Sequence, residues 1–437
     1  MNTSGTPIHA PGRPFHFMVA FWGERYRDYF VDLFLPSLLA PNNLPLLQAE
    51  EGHRFFIAAP REDWKAINEL PIMERLRRHA EPRWVEIDSP SESEMAGDAH
   101  ARYAATLQHM KVCLRKLLEA GYHPSAYGSF HCPDTIVSDG MVALLLKSVR
   151  AGRQLVLCPA LRQAEEAVLS DLETLGLLSP GKRPSLTAQE LTIAPRLGAD
   201  LAIRHLHPEM SVFEEGSTGQ PPLPPFRYWR MPEGRGLLLR TFFTSPALMD
   251  YSIVPAEHTR CLDHDAFENV YIISNFRNCR AIQIVADSDE FLVLSLTPGK
   301  TDHSAPTVPQ QRQSVLRRGY GRLCDIRSSY EFYVRRNFDV IKHDLFRTPV
   351  RWHVHDLDEV WMKEERRVER LFDRAVGDYF RQSALPESGQ WDRPNVNWRT
   401  LLLDVPLFDL PSLLRGLIYR FLLQARALGR EFIGANR

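Results

Sequence analysis

Cysteine is scarce in this sequence and never paired. Six cysteines are spread over 437 residues, at positions 113, 132, 158, 261, 279 and 324. No two of them form a C-x-x-C, so a zinc knuckle and a disulfide framework are both excluded, and reduced core thiols are predicted. An excess of either charge is lacking as well: 53 Lys and Arg stand against 54 Asp and Glu. That balance excludes a whole-surface basic field for nucleic acid. No apolar run reaches the roughly eighteen residues of a membrane-spanning helix. The first residues, MNTSGTPIHAPGRPFHF, are polar and rich in Pro and Gly, without the apolar core and cleavage site of a signal peptide. A cytoplasmic protein is therefore expected. The chain also has no P-loop, no G-x-G-x-x-G and no G-x-S-x-G, which argues against the nucleotide folds and the serine hydrolases those motifs mark. No internal repeat is present.

What remains is an ordinary globular composition, 44% hydrophobic and 24% charged. The length exceeds one typical core, so two domains, or one domain with large insertions, are expected. Strand and helix patterns alternate over the first 160 positions. FHFMVAF (15–21), HRFFIAA (53–59), RWVEI (83–87), Tyr127–Phe130 and Leu155–Cys158 read as strands. Tyr26–Leu39, Trp64–Leu70, His100–Ala120 and Met141–Arg150 read as helices. This order predicts an α/β fold, with a mostly parallel sheet and helices on both faces. The loops that end the strands should then share one edge, the default cleft.

Beyond that region, Leu186–Leu206 reads as largely helical apart from an interruption near Pro195, and 236–243, 279–285 and 291–296 as strand-like. The chain from Tyr320 onward reads as mainly helical, with a long charged helix over Asp356–Tyr379 and a final amphipathic one over Leu410–Phe432. The expected organisation is a flexible start (1–14), an α/β domain (15–300) with an insertion around 180–230, a loop (301–318) and a helical C-terminal region (319–437). The apolar stripe of Leu410–Phe432 suits internal packing or a homo-oligomer contact better than a membrane, because its flanks carry no dense basic cluster.

The stretch AYGSFHCPDTIVSDG (126–140) concentrates the chemistry. Asp134 follows a strand where α/β folds place ligands, and it can contact a metal or sugar or simply close a turn. Ser138 and Asp139 precede a helix, so one of them is expected to cap it. Gly140 reads as a tight-turn residue. Arg162 follows the next strand and is placed to meet phosphate, or to form a surface salt bridge with Glu165 or Glu166 at helical spacing. His109 and Lys111 lie mid-helix, two apart, and point in different directions. Phe21 and Trp22 can stack on a base or sugar, or pack in the core. Asp263 and Asp265 in CLDHD, and Asp287 and Glu290 in DSDE, are further acids that can act as a base or hold a cation. His205 and His207 share a face only if their segment is a strand.

The order of these pieces resembles the nucleotide-sugar-dependent glycosyltransferases of the GT-A type, and more closely a poorly characterised group of bacterial glycosyltransferase-like proteins. The matching segments are FMVAFWGERYRDYFVDLFLPSLLAPNNLP (17–45), RFFIAAPREDW (54–64), the helix carrying QHMK (108–111), CPDTIVSDG (132–140) and LVLCPALR (155–162). FFTSPALM (242–249), CLDHD (261–265) and ADSDEFLVLSLTP (286–298) continue the likeness, which covers about residues 15–300. The resemblance implies a GT-A-like, Rossmann-like sheet and a nucleoside diphosphate sugar as donor. It places Ala20, Phe21, Trp22 and Gly23 by the base or ribose, with Asp88 accepting a hydrogen bond there. His109, Lys111, Asp134, Ser138, Asp139 and Arg162 complete the expected binding set, and Asp263, Asp265 and Asp287 the catalytic one. Such enzymes hold Mn²⁺ or Mg²⁺ with an Asp-x-Asp, for which Asp134 and Asp265 are the candidates here. The sequence departs from that pattern in having one carboxylate at Cys132-Pro133-Asp134-Thr135. The expected activity is transfer of a sugar to an unknown acceptor. The alternatives are an inactive GT-A-fold binding or scaffold protein, and another nucleotide-using α/β transferase.

Overall fold

The computed structural model describes residues 12–91, 96, 99–214, 227–241, 244–263, 268–276, 279, 281–299 and 348–382. The expected loop at 301–318 and the final helix over Leu410–Phe432 lie outside them. Two compact units divide the chain, Met1–Asp378 and Tyr379–Arg437. Of the second, only the end of one helix is described. Among the described residues no helix is long and apolar enough to cross a membrane.

Strand β1 (Phe15–Ala20) is apolar on both faces and almost wholly buried. Helix α1 (Glu24–Tyr29) follows, passes through a π turn (Phe30–Phe34) and resumes as α2 (Leu35–Leu38). Pro36 accounts for the π turn. It has no N–H for the Asp32 carbonyl and its ring would clash there, so the register widens by one residue. Strand β2 (Arg54–Ala59), α3 (Arg61–Asn68), α4 (Pro71–Arg77), β3 (Glu81–Glu86) and the long α5 (Ala99–Gly121) complete the first third. Then come β4 (Tyr127–His131), β5 (Thr135–Val137), α6 (Met141–Arg150), β6 (Leu155–Ala164) and α7 (Glu165–Thr174).

Over 186–206 the expected interruption near Pro195 is present, but the part before it is a short α8 (Pro184–Thr187) and an extended stretch rather than a helix, and α9 (Pro195–Arg204) follows. Pro195 explains the break: it opens a helix readily but disfavours helical backbone in the residue before it. Strands β7 (Arg227–Arg230), β8 (Gly236–Arg240) and β9 (Thr244–Asp250) lead to α10 (Glu268–Asn275). The last described elements are β10 (Ile282–Ile284), β11 (Val293–Thr297), β12 (Val350–His353) and helix α11 (Glu359–Gln382).

The large sheet runs β3-β2-β1-β4-β9-β6-β11-β5, with β10 also paired to β6. The α/β expectation holds, but the sheet is mixed rather than cleanly parallel. Strand β9 runs antiparallel between β4 and β6, and β5 runs antiparallel to β11. A separate three-stranded sheet has the order β12-β8-β7. Alternation along the strands explains the layers. Phe15, Phe17, Val19, Phe55 and Ile57 join one core cluster with residues of α2, α3, α4 and α6. On the opposite face, Met18 lies against Gly121 at the end of α5, and the Nδ1 of His16 is 2.7 Å from the Gly121 carbonyl. A second cluster gathers β11, α7, α9 and the small sheet around Leu294, Leu201, Tyr228 and Trp352. The described C-terminal segment is helical.

Candidate functional site

The sheet order reverses beside β1: β2 and β3 lie on one side of it and β4 on the other. In open α/β sheets the crevice outside the carboxyl ends of the strands at such a switch point is where ligands bind. Two loops border it here. The first follows β1, with Phe21 buried and Trp22 half-buried. Gly23 donates its N–H to the Asp63 carboxylate at 2.8 Å, and Arg27 pairs with the same carboxylate at 3.2 Å, so this loop is tied to the start of α3. The ring of His109, from α5, meets Trp22 edge-on at 4.7 Å. The second loop follows β4 and carries Cys132 and Asp134.

Asp134 is half-buried. Its backbone carbonyl accepts the Leu296 N–H at 2.8 Å, which fixes the turn against β11. Burial pushes the Asp134 carboxyl up to about 6, against the opposing pull of its own amide and of the Arg162 and Arg25 guanidiniums; Glu165 adds to the upward push. Arg25 and Glu165 belong to a group that the sequence reading missed. Arg25 donates to the Tyr29 hydroxyl through Nε at 2.8 Å and Nη2 at 2.5 Å, and to Glu165 at 2.5 Å. The i, i+4 spacing of Arg25 and Tyr29 on α1 was the available signal. Burial, and then Glu165, hold the Tyr29 hydroxyl above its ordinary value. Tyr26 is exposed at the same place, and burial followed by the Asp134 charge raises its hydroxyl too.

Ala20, Trp22, Gly23, Asp134 and Arg162 thus stand at the carboxyl ends of β1, β4 and β6. Asp88 lies exposed just past the end of β3, and Lys111 is half-buried on α5. Ser138 and Asp139 do other work. The Ser138 hydroxyl accepts the Leu292 N–H at 2.8 Å, and the Asp139 carboxylate accepts both the backbone N–H and Nδ2 of Asn42, each at 2.7 Å. Neither caps α6. That is done across the chain by Asn43, whose Oδ1 accepts from Gly140 at 3.1 Å and Val142 at 3.4 Å. Gly140 sits at φ 123°, where a Cβ would lie 3.3 Å from the Glu290 carbonyl. His205 faces Asp171 at 2.7 Å and His207 faces the Pro298 carbonyl at 3.1 Å, so the two rings serve separate partners. Asp263 ends a 3₁₀ turn (His258–Asp263), and its side chain and all of Asp265 lie outside what is described.

Asp287 joins a different cluster. Asp287, Asp289 and His353 place one ligand atom each within 4.8 Å of one another, a geometry that can hold a metal ion. The His353 Nδ1 donates to the His355 carbonyl at 2.6 Å and the Nε2 meets Asp287 at 2.8 Å. Burial works against charge on both groups. The Asp287 contact nevertheless raises His353, and His353 holds Asp287 below the usual carboxylate range. Arg196 pairs with Asp289 at 3.0 Å and also with Asp356. A histidine with two carboxylates suits Mn²⁺ or Zn²⁺ better than Mg²⁺, which prefers oxygen alone. This cluster precedes β11, whereas Asp134 is bonded to Leu296 near the strand's other end.

No protein-family model matches the chain, and no curated protein matches it in sequence. Among solved structures, a crystal structure of S. aureus TarS 1-349 shares 9% identity at a TM-score of 0.21, over 34% of this chain and 36% of that one. Another S. aureus TarS structure shares 11% at 0.20, over 34% of this chain and 22% of that one. A Bacillus anthracis protein described as a glucose-1-phosphate thymidylyltransferase, in complex with a sucrose, shares 12% at 0.22, over 35% and 57%. The chain therefore spans less than two thirds of each. Likeness this slight carries neither fold nor function.

Proposed function

We propose that the crevice between the ends of β1 and β4 binds a nucleoside diphosphate sugar and that the protein transfers the sugar to an acceptor hydroxyl. The observation that carries this reading is that the loops bearing Trp22 and Asp134 leave two adjacent parallel strands, β1 and β4, at the switch point of the sheet, with the Arg25 and Arg162 charges acting on the Asp134 carboxylate. Trp22 offers a π face for a base. Asp134 offers a carboxyl that can accept from, or donate to, a sugar hydroxyl. The guanidiniums offer charge to the diphosphate leaving group, where transition-state charge develops. Asp88, at the end of β3, lies on the same edge for a ribose or base contact.

The test is a thermal-shift screen of nucleoside diphosphates and their sugars, followed by an assay for nucleoside diphosphate release. Stabilisation by one nucleotide class, lost in Asp134→Ala, supports the reading. A flat response to the whole panel sinks it and leaves a binding or scaffold role.

A further inference from the structure

A nucleoside diphosphate sugar is ordinarily met by a divalent cation held between carboxylates. The residues around Asp134 do not fit that role. Hard cations take six or more oxygen ligands, several of them carboxylates. Asp134 has no second carboxylate two positions away in either direction: Cys132 and Ile136 occupy those places. The other carboxylate acting on it, Glu165, already receives Arg25 at 2.5 Å. A cation there would also stand against the positive charges of Arg25 and Arg162, which act on the same carboxylate.

The strand register brings Arg162 to the Asp134 turn. Thr135, Ser295 and Arg162 form one row across β5, β11 and β6. Asp134 precedes Thr135 and accepts the Leu296 N–H, one residue past Ser295, so its turn adjoins that row. Arg25 comes from the other side, on the first turn of α1, and is held by Tyr29 and Glu165. Both side chains remain about half exposed, 53% for Arg25 and 60% for Arg162. Arg162 spends Nη1 on Glu209 at 3.1 Å, and Arg25 spends Nε and Nη2. A guanidinium carries five N–H donors, so the Nη1 group of Arg25 and most N–H groups of Arg162 remain for a ligand.

We infer that Arg25 and Arg162 hold the diphosphate of the donor directly, in place of a cation at Asp134, with Glu165 and Tyr29 positioning Arg25. This rests on the donor-site reading above. The fork of each guanidinium matches adjacent phosphoryl oxygens, and charge-assisted pairs of this kind are the strong ones. The Asp134 carboxylate, half-buried beside them, is left to accept from a sugar hydroxyl. The metal-capable cluster at Asp287, Asp289 and His353 then has no part in holding the diphosphate.

The experiment is calorimetric titration of the full chain with adenosine, guanosine, cytidine, uridine and thymidine diphosphates, each beside its nucleoside, first in EDTA and then in Mn²⁺. The expected result is that one diphosphate binds in EDTA at least tenfold more tightly than its nucleoside. Arg162→Gln and Arg25→Gln should each remove most of that ratio while leaving nucleoside affinity unchanged. Because Arg25 also supports α1, Arg162→Lys provides a milder variant, expected to retain charge but lose part of the ratio. Two outcomes overturn the inference and leave the donor site standing: a diphosphate preference that appears only with Mn²⁺, or an undiminished preference in Arg162→Gln. Absence of binding under both conditions overturns the donor-site reading itself, and the inference with it.

Discussion

His353 and Asp287 meet at 2.8 Å, and their contact ties the three-stranded sheet to the loop that enters β11. The His353 ring is almost fully buried, with its second nitrogen on the His355 carbonyl. Ser288 reinforces the joint, because its hydroxyl accepts the His353 N–H at 3.1 Å. Breaking one side of such a pair leaves a buried polar group without its partner. His353→Gln and Asp287→Asn should each lower stability by about 1–3 kcal/mol. The double variant should cost less than the sum, with a coupling on the order of 1 kcal/mol in a denaturant cycle. Strict additivity would show that the pair is incidental.

Asn43 supplies the cap that the sequence places nowhere near α6. Besides accepting from Gly140 and Val142, it donates to the Ser37 and Ser138 carbonyls at 2.9 and 3.2 Å, in a fully buried position. Asn43→Ala removes a cap and strands buried groups, so a loss of about 2–3 kcal/mol is expected. Asp139→Ala, which frees only Asn42, should cost less. Equal urea midpoints for the two variants would contradict this ordering.

Asp134 makes opposite predictions for stability and binding. Its folded value of about 6 lies above the ordinary 3.8. Between those values the folded state binds the proton more tightly than the unfolded chain, so the contribution of Asp134 to stability falls as pH rises from about 4 to 6. Above that window the full penalty persists. Asp134→Asn should therefore be more stable than the parent at pH 7.5, by up to about 2 kcal/mol, and no more stable at pH 4. The same variant should lose donor binding, as groups kept for function often reduce stability. Parallel melting curves against pH for parent and variant would refute the prediction.

Gly128, in β4, leaves room for a ring. A Cβ there would lie 2.5–2.7 Å from the Tyr251 ring and hydroxyl, and that ring is itself fully buried. The tyrosine cannot swing away as a surface chain would. Gly128→Ala should destabilise by roughly 1–3 kcal/mol through overpacking. Adding Tyr251→Leu to it should cost less than that change alone does in the parent, because the clash is gone. A Gly128→Ala protein with an unchanged melting temperature would show that the ring can move.

Much of the α/β framework was legible because local pattern and burial agree. The strands at 15–20, 54–59, 127–131 and 155–164 are largely buried runs, the strand at 81–86 is an edge strand marked by its Trp84-Val85 pair, and α5 and α6 carry helical periodicity. Where they disagree, the reading failed. FFTSPALM reads as a landmark rather than a strand, yet Thr244–Asp250 is β9, inserted antiparallel between β4 and β6. Strand pairing joins residues more than a hundred positions apart, and nothing local records it.

The sequence by itself determined that a carboxylate, Asp134, ends a strand of an α/β run and has no second acid beside it. That follows from residue order alone. Only the tertiary structure decided which charges that carboxylate meets. Arg25 and Glu165 are 140 positions apart, and Arg162 reaches the same place through the register of β6, β11 and β5. The tertiary structure likewise assigned Asp139 to Asn42, the α6 cap to Asn43, and Asp287 to His353. The reason is physical: hydrogen bonds and charge pairs are satisfied by whichever group folding brings within about 3 Å, and chain distance does not enter that condition.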